Sequence, residues 1–180
     1  MVEDKYRTPL TEELCTHEVR HSGRDFYTHL KGTHDLLRAW KNPEPVCLAG
    51  LFHSIYGTSH FRHAAFPIVK RDVIRDLIGE EAEFLAYVFC VAQRPEAFLA
   101  QAGSPETAIR DHHAGALIRL QSATLNQLLE IEAANLLEQG GNIAGVLRRL
   151  LDTGISPAAK ARIVTTLVGR PPLSRHLSRR

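Results

Sequence analysis

Several things are scarce in this sequence, and each scarcity closes off a class of protein. Cysteine is rare and odd in number: Cys15, Cys47 and Cys90 have no C-x-x-C spacing and sit in apolar helical stretches. A thiol in that setting behaves as a small hydrophobe, so no disulfide framework is expected and a reducing compartment is implied. No apolar run approaches the ~18 residues that a membrane span requires. Met1 to Arg7 mix acidic and basic groups without an apolar stretch, so a cytoplasmic protein without a membrane partner is expected. An excess of either charge is also missing, with a formal net charge of +2. The only basic concentration is Arg175, His176, Arg179 and Arg180, in a tail (about 171–180) expected to be solvated and flexible, which is no basis for a nucleic-acid partner. Strict apolar/polar alternation is missing almost everywhere, as are internal repeats and low-complexity linkers.

What the chain does have is 180 residues with 44% hydrophobic and 23% charged side chains, enough to bury one sizeable core and too few for two. One domain over 1–180 is the expectation. Apolar residues recur at i, i+3, i+4 and i+7 from end to end, so the expected class is all-α, a helical bundle around one core. Helices are expected over Thr11 to Arg20, over Asp25 to Lys41 ending before Pro43, and over Pro45 to Phe52, the last apolar on every side and therefore central. Pro67 opens a further helix that Gly79 closes, and Glu80 to Gln93 forms a second deeply buried one. A long helix is expected from about Thr107 to Gln139, stopped by Gly140-Gly141. Asn142 to Leu151 and a helix from Ser156-Pro157 to about Val168 complete the set; the second has an apolar side on which a homodimer would form.

Ten histidines are more than such a domain usually needs, and helical phase sorts some of them. His29 falls within the stripe Phe26, Leu30, Thr33, Leu37 and Trp40 and is assigned to the interior. His34, five positions or about 140° further round, is assigned to the solvent edge. His53 ends the buried run Val46 to Phe52 and is assigned to the interior, which makes two histidines on neighbouring buried helices. On the long helix, Glu132 and Asn135 lie i, i+3 apart beside the core side; Glu132 either tilts to solvent or meets a cation, and the amide needs hydrogen bonds. His60 and His63 follow in the loop after His53 and either close over a site or face solvent. His17, His21, His112 and His113 receive no role.

These positions resemble a known family, the hydrolase domain of the Rel/Spo-type alarmone enzymes within the HD superfamily of divalent-metal phosphohydrolases. The resemblance covers about 20–139. Arg20-His21-Ser22-Gly23, Phe26 and His29 are similar to the family's opening motif, and Ala49-Gly50-Leu51-Phe52-His53-Ser54 resembles its Ala-Ala-Leu-Leu-His-Asp. Ile78-Gly79-Glu80-Glu81 resembles Phe-Gly-Glu-Glu, and Ala134-Asn135 followed by Gln139 is similar to the last motif, Leu-Ala-Asp with an asparagine four residues on. The acidic positions differ. Ser54 stands for the Asp of His-Asp, Gly57 and Thr58 for the water-activating Glu-Asp pair, and Asn135 for the final metal-binding Asp.

Two imidazoles and an amide are a weak substitute for carboxylates around a hard cation, so ordinary alarmone hydrolysis is not expected. One reading is a divergent enzyme acting on a small, anionic or nucleotide-like metabolite through a rebuilt site. It holds a divalent transition metal (Fe, Mn or Zn) through His29, His53 and a third ligand such as His63 or Glu132, or works without metal through His53 with Tyr56 or Ser54. By the resemblance Arg20 contacts the substrate; Arg94 and Asn135 are further candidates for that role. The other reading is a degenerate module that binds a small-molecule ligand or a partner without catalysis.

Overall fold

The computed structural model describes residues 5–6, 10, 20–21, 24–59 and 64–169. It is mostly helical, with two short antiparallel hairpins. β1 (Arg20–His21) pairs with β2 (Arg24–Asp25), and the chain enters α1 (Phe26–Ala39) directly. Asp25 caps that helix by accepting from the Thr28 amide at 2.8 Å, which satisfies one of the orphan donors of the first turn. The helix expected over Thr11 to Arg20 lies outside the described residues except for Arg20, which is a strand residue. Pro43 separates α1 from α2 (Glu44–Phe52), whose interior residues from Val46 to Phe52 are all buried.

A 3-10 turn (Ile68–Lys70) leads into α3 (Arg71–Ile78), and Gly79, with φ +88°, makes the break before α4 (Glu80–Val91). A short helix, α5 (Glu96–Leu99), follows Pro95. Next come β3 (Thr107–Arg110) and β4 (Leu117–Leu120), then α6 (Ser122–Gln139), α7 (Ala144–Leu151) and α8 (Pro157–Val168), the last capped by Ser156 as its sequence suggests.

The β3–β4 hairpin corrects the long helix expected from Thr107. Along β3, Thr107 and Ile109 are buried while Arg110 is exposed, the period of a half-buried strand. The connection Asp111 to Ala116 supplies the turn: one Asp111 carboxylate oxygen accepts from the His113 and Ala114 amides, and Gly115 takes φ +73°. Only from Ser122 does the helical period take over.

The apolar interior also differs from expectation, forming two clusters instead of one. Leu37, Cys47, Leu85, Phe89, Leu128 and Ile163 belong to the larger, which reaches α8. Tyr6, Leu10, Leu30, Leu51, Phe52 and Ile74 belong to the smaller. Because α2 is buried on every side, its residues 46, 47 and 49 face one cluster and 48, 51 and 52 the other. α8 keeps Val164 and Val168 exposed. Among the described residues no helix is long and apolar enough to cross a membrane.

His34 is buried, not at the solvent edge. The stripe of α1 is centred on Phe26, Thr33 and Leu37, so His29 lies about 60° to one side of it and His34 about 80° to the other. An angle of about 140° between two residues therefore does not separate inside from outside when the stripe runs between them. The His34 Nε2 finds no hydrogen-bond partner, while its Nδ1 lies 3.2 Å from Asp35 Oδ1.

Candidate functional site

The two interior histidines meet. α1 and α2 pack so closely that a Cβ on Gly50 would lie 2.3 Å from the Leu37 Cδ1. That approach sets the His29 and His53 Nε2 atoms 3.0 Å apart, with the rings edge to face at 4.9 Å between centroids. Both side chains are sealed, His29 at 1% exposure and His53 at 0%.

Their outer nitrogens are held as well. His53 Nδ1 lies 2.7 Å from the Gly50 carbonyl oxygen, which can only accept, so this nitrogen carries the proton and donates. His29 Nδ1 contacts the Glu138 carboxylate of α6. The result is a buried row, Glu138, His29, His53 and the Gly50 carbonyl, drawn from three helices. On the other side of His53 stands Phe89, edge to face at 5.2 Å, and beyond Phe89 the Arg94 guanidinium covers its ring at 3.9 Å.

Several expected site residues are committed elsewhere. Arg94 NH1 donates to Glu132 Oε2 at 2.7 Å, so Glu132 meets the cation its burial demands and is a counter-ion instead of a metal ligand in this arrangement. The same pair occupies Arg94 as a substrate contact, although its buried Nε has no partner. Asn135 Oδ1 accepts from Gln139 Nε2 at 3.0 Å, joining the two residues of the last motif to each other. The Tyr56 hydroxyl donates to Glu83 Oε1 at 2.9 Å. Burial, with the Glu83 carboxylate adding to it, pushes that phenol well above its usual range. Ser54 is buried next to His53 in the chain. His60 and His63, like His17 and the side chains of Arg20 and His21, lie outside the described residues.

Glu138 is the residue that the sequence reading missed. It stands three positions beyond Asn135, as Asn135 stands three beyond Glu132, so the flank carrying those two continues to it. Extending the i, i+3 series by one step finds it.

A second polar group lies across α4. Arg71 forks onto Glu83 through Nε and NH2, each at 2.8 Å, and lies over the Tyr87 ring at 3.5 Å. The Tyr87 hydroxyl donates to Asp111, carrying the network to the β3–β4 turn. Burial and the Asp111 carboxylate push the Tyr87 hydroxyl up to about 12. Burial also works to raise the Asp111 carboxyl, but the hydrogen bonds from Tyr87, Ala114 and His113 outweigh it and hold the group below its usual value.

Tyr56 of this network also lines a cleft of about 650 Å³. Thr58, Ser59, Gln93, His112 and His113 add polar residues to its lining, and Ile68, Val91 and Ala92 apolar ones. Cys90, which also lines it, donates its thiol to the His53 carbonyl at 3.2 Å, so one side chain separates the cleft from the backbone of the pair. Among the described residues, no group of three or more His, Cys, Asp and Glu side chains is arranged to hold a metal ion.

Residues 10–94 match a family model described as a domain of unknown function (DUF6817). The match spans a little under half of the chain, takes in His29, His53, Glu83 and Arg94, and stops before α6, so Glu132, Asn135 and Glu138 fall outside it. No curated protein and no solved structure matches the chain.

Proposed function

We propose that this chain is a divergent HD-type enzyme acting on a small anionic metabolite, with His29 and His53 at the centre of its reactive site. One observation carries the reading: two Nε2 atoms face each other at 3.0 Å while the outer nitrogens are held by a carboxylate and a backbone carbonyl. Histidines that bind metals characteristically donate their second ring N–H to such groups, which fix the ring and its tautomer. His29 and His53 thus have the outer environment of metal ligands, and as neutral imidazoles they suit Fe or Zn better than the harder Mn. Two donors fit; Glu132 is committed to Arg94, and His63, the remaining candidate for a third, is outside the described residues. When bound, such a metal would polarise a substrate oxygen or a water.

The lining of the cleft supports this substrate class. Among the described residues no Asp or Glu lines it, because the two neighbouring carboxylates, Glu83 and Asp111, are turned into Arg71, the tyrosines and the turn amides. Its polar lining consists of hydroxyls, an amide and two imidazoles, and so favours a ligand rich in acceptors. The apolar lining takes a small organic portion.

The deciding measurement is metal content in protein purified without a histidine tag. Stoichiometric iron, manganese or zinc is expected, lost in both His29→Ala and His53→Ala. A folded wild-type chain that contains none and takes none up sinks the metal-dependent form of this reading.

The full burial of both histidines favours a second reading, a binding module whose cleft takes a ligand without turning it over. In that case small phosphorylated or carboxylated metabolites raise the thermal midpoint, His53→Gln leaves that shift intact, and no product forms.

A further inference from the structure

We propose that Glu138 is the positioning residue of the histidine pair, holding the His29 ring with Nδ1 protonated and Nε2 turned to His53, and that Gly32 is present to admit it. The inference rests on the reading of the pair as the reactive site and names what sets its geometry.

The hydrogen-bond roles are constrained. His53 donates through Nδ1 to the Gly50 carbonyl, so in its neutral form its Nε2 offers a lone pair. The proton between the rings therefore belongs to His29 Nε2. A carboxylate facing His29 Nδ1 calls for a second N–H there. Without Glu138 the His29 Nδ1 loses the carboxylate that holds its proton, and the proton shared with His53 favours the Nε2–H tautomer.

A separate observation points the same way. Glycine is a poor residue for the interior of a helix, yet Gly32 lies well inside α1. A Cβ built on it would stand 2.7 Å from the Glu138 Cγ and 3.2 Å from its Oε1. Alanine, the better helix former, would occupy the space through which the carboxylate reaches His29.

The test is long-range proton–nitrogen NMR of the metal-free full chain with ¹⁵N-labelled histidine, the His29 signals being assigned by their loss in His29→Ala. The wild type is expected to show a proton on His29 Nδ1, and Glu138→Ala a bare Nδ1 with the proton on Nε2. A bare Nδ1 in the wild type, or the same pattern in both proteins, overturns the proposal. Gly32→Ala keeps the carboxylate and only displaces it, so it decides the matter if Glu138→Ala does not fold. Its Nδ1 is expected to be bare with the melting midpoint at or above that of wild type, and a wild-type ring pattern would overturn the role given to Gly32. Zn²⁺ affinity gives an independent reading: Glu138→Ala should bind about 10- to 100-fold more weakly. Equal affinities overturn the positioning role. A wild type that takes up no Zn²⁺ overturns the reading of the pair as a metal site, while the ring pattern still decides Glu138.

Discussion

Around Glu83 every charge is answered: Arg71 forks onto its carboxylate, Tyr56 adds a hydroxyl, and Tyr87 passes the network on to Asp111 and the turn amides. Around His29 and His53 two identical nitrogens are turned toward each other, and the groups that stabilise them stand behind the rings. Both clusters are buried and both tie several elements together. The first is an ion-pair network anchored on one carboxylate, of the kind that specifies a fold. The second brings two ring nitrogens to 3.0 Å, with the outer nitrogens held by a carboxylate and a backbone carbonyl.

The largest expected effect breaks the first cluster. Glu83→Ala leaves Arg71 and Tyr56 without their acceptor inside the protein, and should cost about 3–5 kcal/mol in urea unfolding, as removal of one partner of a buried pair does. If that variant keeps wild-type stability, Glu83 is not a structural anchor and the contrast with the histidine pair fails. The histidine variants should show the reverse pattern, with metal content lost at a smaller cost in stability.

Asp111→Asn should cost less, about 1–2 kcal/mol at pH 7, because the turn amides keep a side-chain oxygen but the charge is gone. Its pH dependence sharpens the comparison. The folded-state pKa of Asp111 is depressed, so the stability it contributes is complete above its ordinary value of 3.8 and is lost as the pH falls through the lower folded value. The difference between wild type and variant should therefore shrink in acid melts below pH ~4. A difference that stays constant to the lowest pH at which the protein folds would show that the carboxylate charge has no part in it.

The smallest effect concerns the thiols. Burial pushes Cys90 up to about 12 and Cys47 up to about 11, so both are neutral at pH 8. Iodoacetamide at that pH should label them only after denaturant is added. Rapid labelling of Cys90 in the native chain would mean that the layer between the cleft and His53 opens readily, and would bring the pair within reach of a ligand.

Much of this arrangement was legible in the residues. The unbroken apolar run from Val46 to Phe52 identified a central helix, and the phase of α1 put His29 inside. Both follow from periodicity, because burial on one stripe or on all sides leaves a direct trace in side-chain type. His34 was misplaced because periodicity gives angles between residues, while burial depends on where the stripe is centred and on how many neighbours surround the helix. The β3–β4 hairpin was hidden because strands of four residues are too short to show a period, although Asp111 and Gly115 mark its turn. Pairings such as Arg94 with Glu132 join residues 38 positions apart, and only the fold decides which carboxylate meets which cation. Glu138 lay within reach of the helical series that carries Glu132 and Asn135, yet it looks in the sequence like an ordinary charge near a helix end.

Gly50 performs two tasks at once: its carbonyl holds the His53 ring, and its missing side chain gives room to a methyl of Leu37. Leu37 is itself fully buried. Alanine at 50, the residue found in the motif that this segment resembles, therefore requires the Leu37 methyl to move, and a smaller residue at 37 relieves the contact at the cost of a hole in the core.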